Sequence, residues 1–179
     1  MPTPAAIGHL DADAFYASAE RVRNRFLIGK PVGVLGNQGA CVIAKSYEMK
    51  AAGVTTGMPI WDALKLCPDG IYLKRDFRWY EVLSRLMLDE MRQFSPAVEY
   101  YSIDECFFEV IPLRAASLQE TAEAMRDRIL QAVGVPVTVG VSKTKTLAKI
   151  PHGCATPVKH HRHIQRRSCT LKCGVAAVI

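Results

Sequence analysis

Between Val98 and Ile111 two runs rich in aromatic and β-branched residues are broken by an adjacent carboxylate pair, Asp104-Glu105. No other feature constrains the fold as much. Val98 to Asp104 and Cys106 to Ile111 read as the two strands of a hairpin, with the acids at or near its turn. A solvated turn is the plain alternative for such a pair, so the rest of the chain must decide what it is.

Upstream, Ile7 to Asp11 reads as a short strand that ends on a carboxylate. A helix follows, with Phe15, Ala19, Val22 and Phe26 at helical spacing and Asp13 as its expected N-cap. Tyr16 points off that apolar face, beside the free amides of the helix start, which favour anions. From Lys30 to about Arg78 the texture changes to short pieces: Pro31 to Leu35, Cys41 to Ala44, a helical Ser46 to Ala52, a Gly53 stop, a helix from Pro59 to Leu66, and Ile71 to Lys74. This segment reads as a small inserted α/β subdomain. Its Gly36-Asn37-Gln38-Gly39 is a hairpin-type turn, not a phosphate loop, because the Gly-Lys-Ser/Thr ending is missing.

A long amphipathic helix carries Tyr80, Leu83, Met87, Met91 and Phe94 on one stripe and stops at Ser95-Pro96. Beyond the hairpin, Ser117-Leu118-Gln119-Glu120 is a capping box that opens a helix with Leu118, Ala122, Met125, Ile129 and Val133 on its apolar face. Pro136 to Val141 is a last strand, and Ser142 to Lys149 opens a basic helix. With the insert set aside, the order is strand, helix, strand, strand, helix, strand. That is the split β-α-β, or ferredoxin-like, pattern of an α+β fold. Right-handed crossover makes the first two strands parallel. Asp11 and Asp104 are then expected to reach the same rim of the sheet.

Hydrophobic residues make up 49% of the 179-residue chain, enough for a core. No apolar window of about 18 residues is present, and Met1-Pro2-Thr3-Pro4 lacks the regions of a secretory signal, so a cytoplasmic protein with no membrane partner is expected. The six cysteines show no regular framework and read as reduced thiols. The net charge of +6 is uneven: residues 1–150 hold 18 basic and all 17 acidic residues, whereas 151–179 hold five basic and no acidic residue. The body is near neutral, and the high isoelectric point says little about its partners.

Carboxylates packed on one rim without a cation repel and raise one another's pKa. Hard divalent cations with oxygen ligands turn that cost into binding, and Mg²⁺, held by a few carboxylates and substrate phosphates, is the natural occupant. Paired ions about 3.5–4 Å apart clamp the attacking and leaving oxygens of a phosphoryl transfer.

Four ordered blocks carry a family resemblance: Leu10-Asp11-Ala12-Asp13-Ala14-Phe15-Tyr16-Ala17-Ser18; Gly39 to Val54, with Ala44-Lys45-Ser46-Tyr47-Glu48-Met49-Lys50 at its centre; Tyr101-Ser102-Ile103-Asp104-Glu105; and Gly140-Val141-Ser142-Lys143-Thr144-Lys145-Thr146-Leu147-Ala148-Lys149-Ile150. Together they resemble the Y-family, or translesion, DNA polymerases over about residues 7–150, and Cys41-Val42-Ile43-Ala44 leans toward the SOS-mutagenesis branch. The resemblance implies a DNA-directed DNA polymerase acting in damage tolerance and DNA repair. Its palm (1–14 and 79–150) is ferredoxin-like, its fingers (15–78) are the inserted subdomain, and primer-template DNA and a deoxynucleoside triphosphate are its partners. Asp11, Asp104 and Glu105 would be the catalytic carboxylates holding two Mg²⁺ ions, with the Ala12 carbonyl completing a site. The Ala14 and Phe15 amides would face the triphosphate, and Tyr16 would be the steric gate against a 2′-hydroxyl; an ordinary half-buried helix tyrosine is the alternative. Tyr47 and Lys50, three apart on one helical face, would hold the β- and γ-phosphates. Lys50 stands where arginine is common, and lysine cannot grip phosphate bidentately. Lys143, Lys145 and Lys149 are candidates for DNA phosphates, against a merely solvated basic face. Asp13 belongs to the motif as a cap rather than a ligand.

The resemblance ends at Ile150, where Pro151 ends or kinks the helix. The Ala-Lys-Pro segment, the thumb and the little finger of the family, with the region that binds a sliding clamp, are expected to be absent. Residues 151–179 read as an unstructured tail foreign to the family. Cys154, His160, His163, Cys169 and Cys173 are possible zinc ligands by type, but their spacing matches no paired-ligand knuckle. An inactive remnant that keeps the fold and at most weak nucleotide or DNA binding is the alternative to an enzyme. A nucleotidyl cyclase shares the carboxylate geometry but not the insert with Tyr47 and Lys50.

Overall fold

The computed structural model describes residues 6–111, 116–150, 168–171 and 175–178, the last two segments as backbone only. The chain divides into two compact units, Met1–Asp13 with Leu83–Ile179, and Ala14–Val82. The division falls inside a single long helix.

In the first unit, β1 (Ala6–Ala12) is the hub of an antiparallel sheet, flanked by β6 (Glu105–Val110) and β7 (Val137–Ser142), with β5 (Val98–Tyr100) outside β6. β1 and β5 both run antiparallel to β6 and are therefore parallel to each other, as the ferredoxin-like order requires. The crossovers are α4 (Phe77–Phe94), which leads into β5, and α5 (Leu118–Ala132), which joins β6 to β7. Their apolar stripes are buried: Leu83, Met87 and Met91 on α4, and Ala122, Met125 and Ile129 on α5. Arg128 on α5 donates to Glu90 on α4 at 2.7 Å, so the two helices lie side by side. The Ser117–Glu120 capping box closes at the start of α5, the Glu120 amide donating to Ser117 Oγ and the Ser117 amide to Glu120 Oε2.

The second unit holds a small sheet of order β3 (Val42–Lys45), β2 (Val32–Leu35), β4 (Ile71–Lys74), with β2 antiparallel to β3 and parallel to β4. Gln38 and Gly39, at φ 56° and 73°, turn the chain between β2 and β3. α2 (Tyr47–Ala51) and α3 (Ile60–Leu66) accompany a core of Leu35, Val42, Met49, Val54, Ala63 and Cys67. Ser46 caps α2 through its hydroxyl, which accepts from Met49 N–H.

Three expectations are corrected. The first helix, α1 (Phe15–Arg23), stops before Phe26, which is 84% exposed; extended backbone at Asn24, whose side chain accepts from Phe26 N–H, turns the chain into a 3₁₀ turn at Arg25–Leu27. Asp13 does not cap α1. The N-cap is Ala14, at φ 46°, with no side-chain cap, because the Asp13 carboxylate accepts instead from Thr138. The tail contains two strands, β8 (Ser168–Leu171) and β9 (Val175–Val178), and β9 extends the sheet along β7. Its Val175-Ala176-Ala177-Val178 run satisfies the open edge of β7 through backbone hydrogen bonds. The candidate zinc ligands Cys154, His160, His163 and Cys173 lie outside the described residues, and Cys169 is described only as backbone of β8. Among the described residues no helix is long and apolar enough to cross a membrane.

The β1–β6 register is fixed by shape as well as by hydrogen bonds. Gly8 faces Phe108, and a Cβ at Gly8 would stand 2.2 Å from that ring. Gly8→Ala should therefore lower stability by about 1–3 kcal/mol, the usual cost of overpacking a filled core, as read from urea unfolding followed by circular dichroism. An unchanged midpoint would mean that Phe108 swings aside without cost.

Candidate active site

Residues of a strand alternate between its faces, so His9 and Asp11 project from one side of β1 and Leu10 from the other. Register then decides the site: Asp11 stands opposite Glu105 on β6 and opposite Thr138 on β7. One residue further on, the Ala12 amide donates to the Asp104 carbonyl at 3.0 Å. Asp104 lies just outside the strand, in a turn closed by the Tyr101 and Ser102 amides donating to the Glu105 carbonyl, and Ser102 Oγ donates to Asp104 Oδ1 at 2.7 Å. Backbone hydrogen bonds thus bring Asp11, Asp104 and Glu105 to one rim. A small pocket is lined by Leu10, Ser84, Met87 and Leu88 with Ser102 to Cys106.

The electrostatics register this crowding. Burial raises the Asp11 carboxyl to about 7, and the charges of Glu105, Asp104 and Asp13 add to the effect, with Lys149 opposing it. Asp13 is pushed up to about 6 by burial, against the Thr138 hydroxyl that donates to it at 3.0 Å. Fully buried His9 is lowered to about 4 by burial and by the Lys149 charge. It is neutral at physiological pH. Its Nε2 lies 3.9 Å from Glu105 Oε2, and its ring centroid lies 4.5 Å from that of Phe107.

Among the described residues, no three His, Cys, Asp or Glu side chains already close around one point as a cation cage. Glu105 Oε2 instead accepts from Lys149 Nζ at 2.8 Å. The donor set nevertheless suits a hard divalent cation: all its ligating groups are oxygens, and mutual repulsion at Asp11 is what such a cation would relieve.

Ala14, Phe15 and Tyr16 stand at the start of α1, with Phe15 buried. The Tyr16 ring stacks on Tyr80 at 4.6 Å between centroids, and the Tyr80 hydroxyl donates to buried Glu20 at 2.7 Å. Tyr47 opens α2 and Lys50 sits exposed in its last turn. Lys143 is exposed before α6 (Lys145–Lys149), and Lys145 pairs with Glu99 at 2.5 Å. Sequence reasoning overlooked His9, Thr138 and the Lys149–Glu105 pair. For His9 the signal was available, since it alternates in phase with Asp11.

A model of the impB/mucB/samB family matches residues 10–152 of this chain. The chain belongs to that family, the Y-family of DNA polymerases. Among its relatives in the Y-family, it is 41% identical over 159 residues to DNA polymerase IV 2 of Mesorhizobium japonicum, covering 88% of this chain and 38% of that protein. It is 35% identical over 156 residues to DNA polymerase IV of Oceanobacillus iheyensis, covering 85% of this chain and 37% of that relative. Among solved structures it is similar to DinB from Sulfolobus solfataricus, with a TM-score of 0.78 and 31% identity over 85% of this chain and 46% of that one. It is similar also to Dbh DNA polymerase in an insertion ternary complex, with a TM-score of 0.77, 30% identity and the same coverage. The chain therefore spans under half the length of these Y-family proteins.

The raised Asp11 value has a consequence for stability. Its ordinary value is 3.8 and its value in the fold is about 7, so the folded chain holds the proton more tightly than the unfolded chain. The contribution of protonated Asp11 is full below about pH 4 and is lost as pH rises through about 7. In EDTA, the gain in melting temperature from Asp11→Asn should be larger near pH 8 than near pH 4. An equal gain at both would show that Asp11 titrates normally.

Proposed function

We propose that this chain is the palm and fingers portion of a translesion DNA polymerase, which joins a deoxynucleotide to a primer 3′-hydroxyl. The observation that carries the reading is the pairing of Asp11 with Glu105, together with the bond from Ala12 N–H to the Asp104 carbonyl. These contacts collect three carboxylates in a fold of this family. Asp11, Asp104, Glu105 and the Ala12 carbonyl would hold two Mg²⁺ ions, which supply charge neutralisation and activation of the attacking hydroxyl. Asp11 and Glu105 fix the charge at the end of the sheet, and Ser102 holds the Asp104 carboxylate in place through its hydroxyl. On the second unit, the Ala14 and Phe15 amides, Tyr47 and Lys50 bind the triphosphate. Tyr16, its ring braced by Tyr80, excludes a ribose 2′-hydroxyl. Lys143 and Lys145 hold DNA phosphates, Lys145 by exchanging Glu99 for the backbone. A role in damage tolerance is inferred from the family alone, and one in the SOS response from the Cys41-Val42-Ile43-Ala44 run.

The second reading is a remnant that keeps the fold and at most weak nucleotide or DNA binding. Primer extension in Mg²⁺ separates the two. Extension by the chain, abolished by Asp104→Ala, is the expected result for an enzyme; no extension at high protein concentration leaves the remnant. Tyr16→Ala should raise ribonucleotide incorporation relative to deoxynucleotide incorporation by at least about tenfold, the loss of roughly 1.4 kcal/mol of discrimination. Unchanged sugar selectivity would remove Tyr16 from that role.

A further inference from the structure

The Lys149 ammonium has no part in the strand ladder, yet it pairs with Glu105 on the carboxylate rim. Thr144 caps α6 by accepting from Leu147 N–H at 3.3 Å, and fully buried Ala148 anchors the helix. This fixes the direction in which the next side chain leaves. Lys149 Nζ lies 2.8 Å from Glu105 Oε2 and 4.5 Å from the centroid of the Tyr101 ring. Its charge acts on Asp11 as well. The Glu105 side chain is 17% exposed and that of Lys149 41%, so the carboxylate end of the pair is the shielded one. Lys145, one turn earlier, is turned away to Glu99.

A lysine kept for the carboxylates would sit where this one does. An ammonium neutralises charge but brings no lone pair, and it ties up the Glu105 oxygen that a divalent ion needs as a ligand. We propose that Lys149 is a built-in counter-cation of the carboxylate rim, which a divalent cation must displace from Glu105 in order to bind, so that this one side chain sets the affinity of the rim for metal. The proposal rests on the reading of Asp11, Asp104 and Glu105 as metal ligands. Displacement leaves the ammonium a nearby place of rest, since the electron-rich face of Tyr101 is already within reach.

Binding of Mn²⁺ to the whole chain, followed by electron paramagnetic resonance without DNA or nucleotide, tests the idea. Lys149→Gln should bind Mn²⁺ about tenfold more tightly than the parent, and Lys149→Arg should stay close to it. In thermal unfolding, Lys149→Gln should melt lower than the parent in EDTA and gain more from Mg²⁺. Equal Mn²⁺ affinity of parent and Lys149→Gln overturns the proposal and leaves the metal reading standing. Binding by neither overturns both. Should Lys149→Gln fail to fold, acetylation of the parent decides: Lys149, relative to Lys143, should react faster once Mg²⁺ is added, and an unchanged ratio overturns the proposal.

Discussion

The site depends on the ladder between β1 and β6. Its side-chain period is two, so a slip of one residue would turn Asp11 to the face now occupied by Leu10 and separate it from Glu105. The register is held by Phe108, which fills the space left by the missing side chain of Gly8. One packing contact in the core therefore fixes a carboxylate pair at the strand ends. Repulsion at Asp11 is the electrostatic cost of that arrangement, and Lys149 offsets part of it.

What was legible in the sequence were features whose partners lie nearby along the chain. The capping box joins Ser117 to a residue three positions on, and the stripes of α4 and α5 follow from helical spacing alone. The strand order followed from the sequence of elements, and with it the convergence of Asp11 on the hairpin. The end of α1 was missed because the Phe26 position fits the helical stripe, whereas Asn24 breaks the backbone before it. Nothing in hydrophobic periodicity signals that break.

Contacts between distant residues were the least legible. Thr138 is 125 positions from Asp13, and Lys149 is 44 positions from Glu105. A basic run such as Lys143 to Lys149 looks like a single charged face. In the fold its members diverge, Lys145 to Glu99 and Lys149 to Glu105, because successive turns of a short helix meet different strands of the hairpin.

The two acids of Asp11-Ala12-Asp13 illustrate how one motif is divided by its surroundings. Both carboxyls are raised, with burial as the leading cause, but the secondary causes differ. Asp11 is raised further by other acids, which is the condition a cation relieves. Asp13 is opposed by a neutral hydroxyl donor, and its own amide donates to the Pro136 carbonyl at 2.9 Å. Those two bonds fasten the end of β1 to the start of β7. A divalent cation at Asp13 would compete with the Thr138 hydroxyl, whereas at Asp11 it would relieve the repulsion of the neighbouring acids. The motif thus separates a ligand from a fastener through what each carboxylate faces, although the two are the same residue two positions apart.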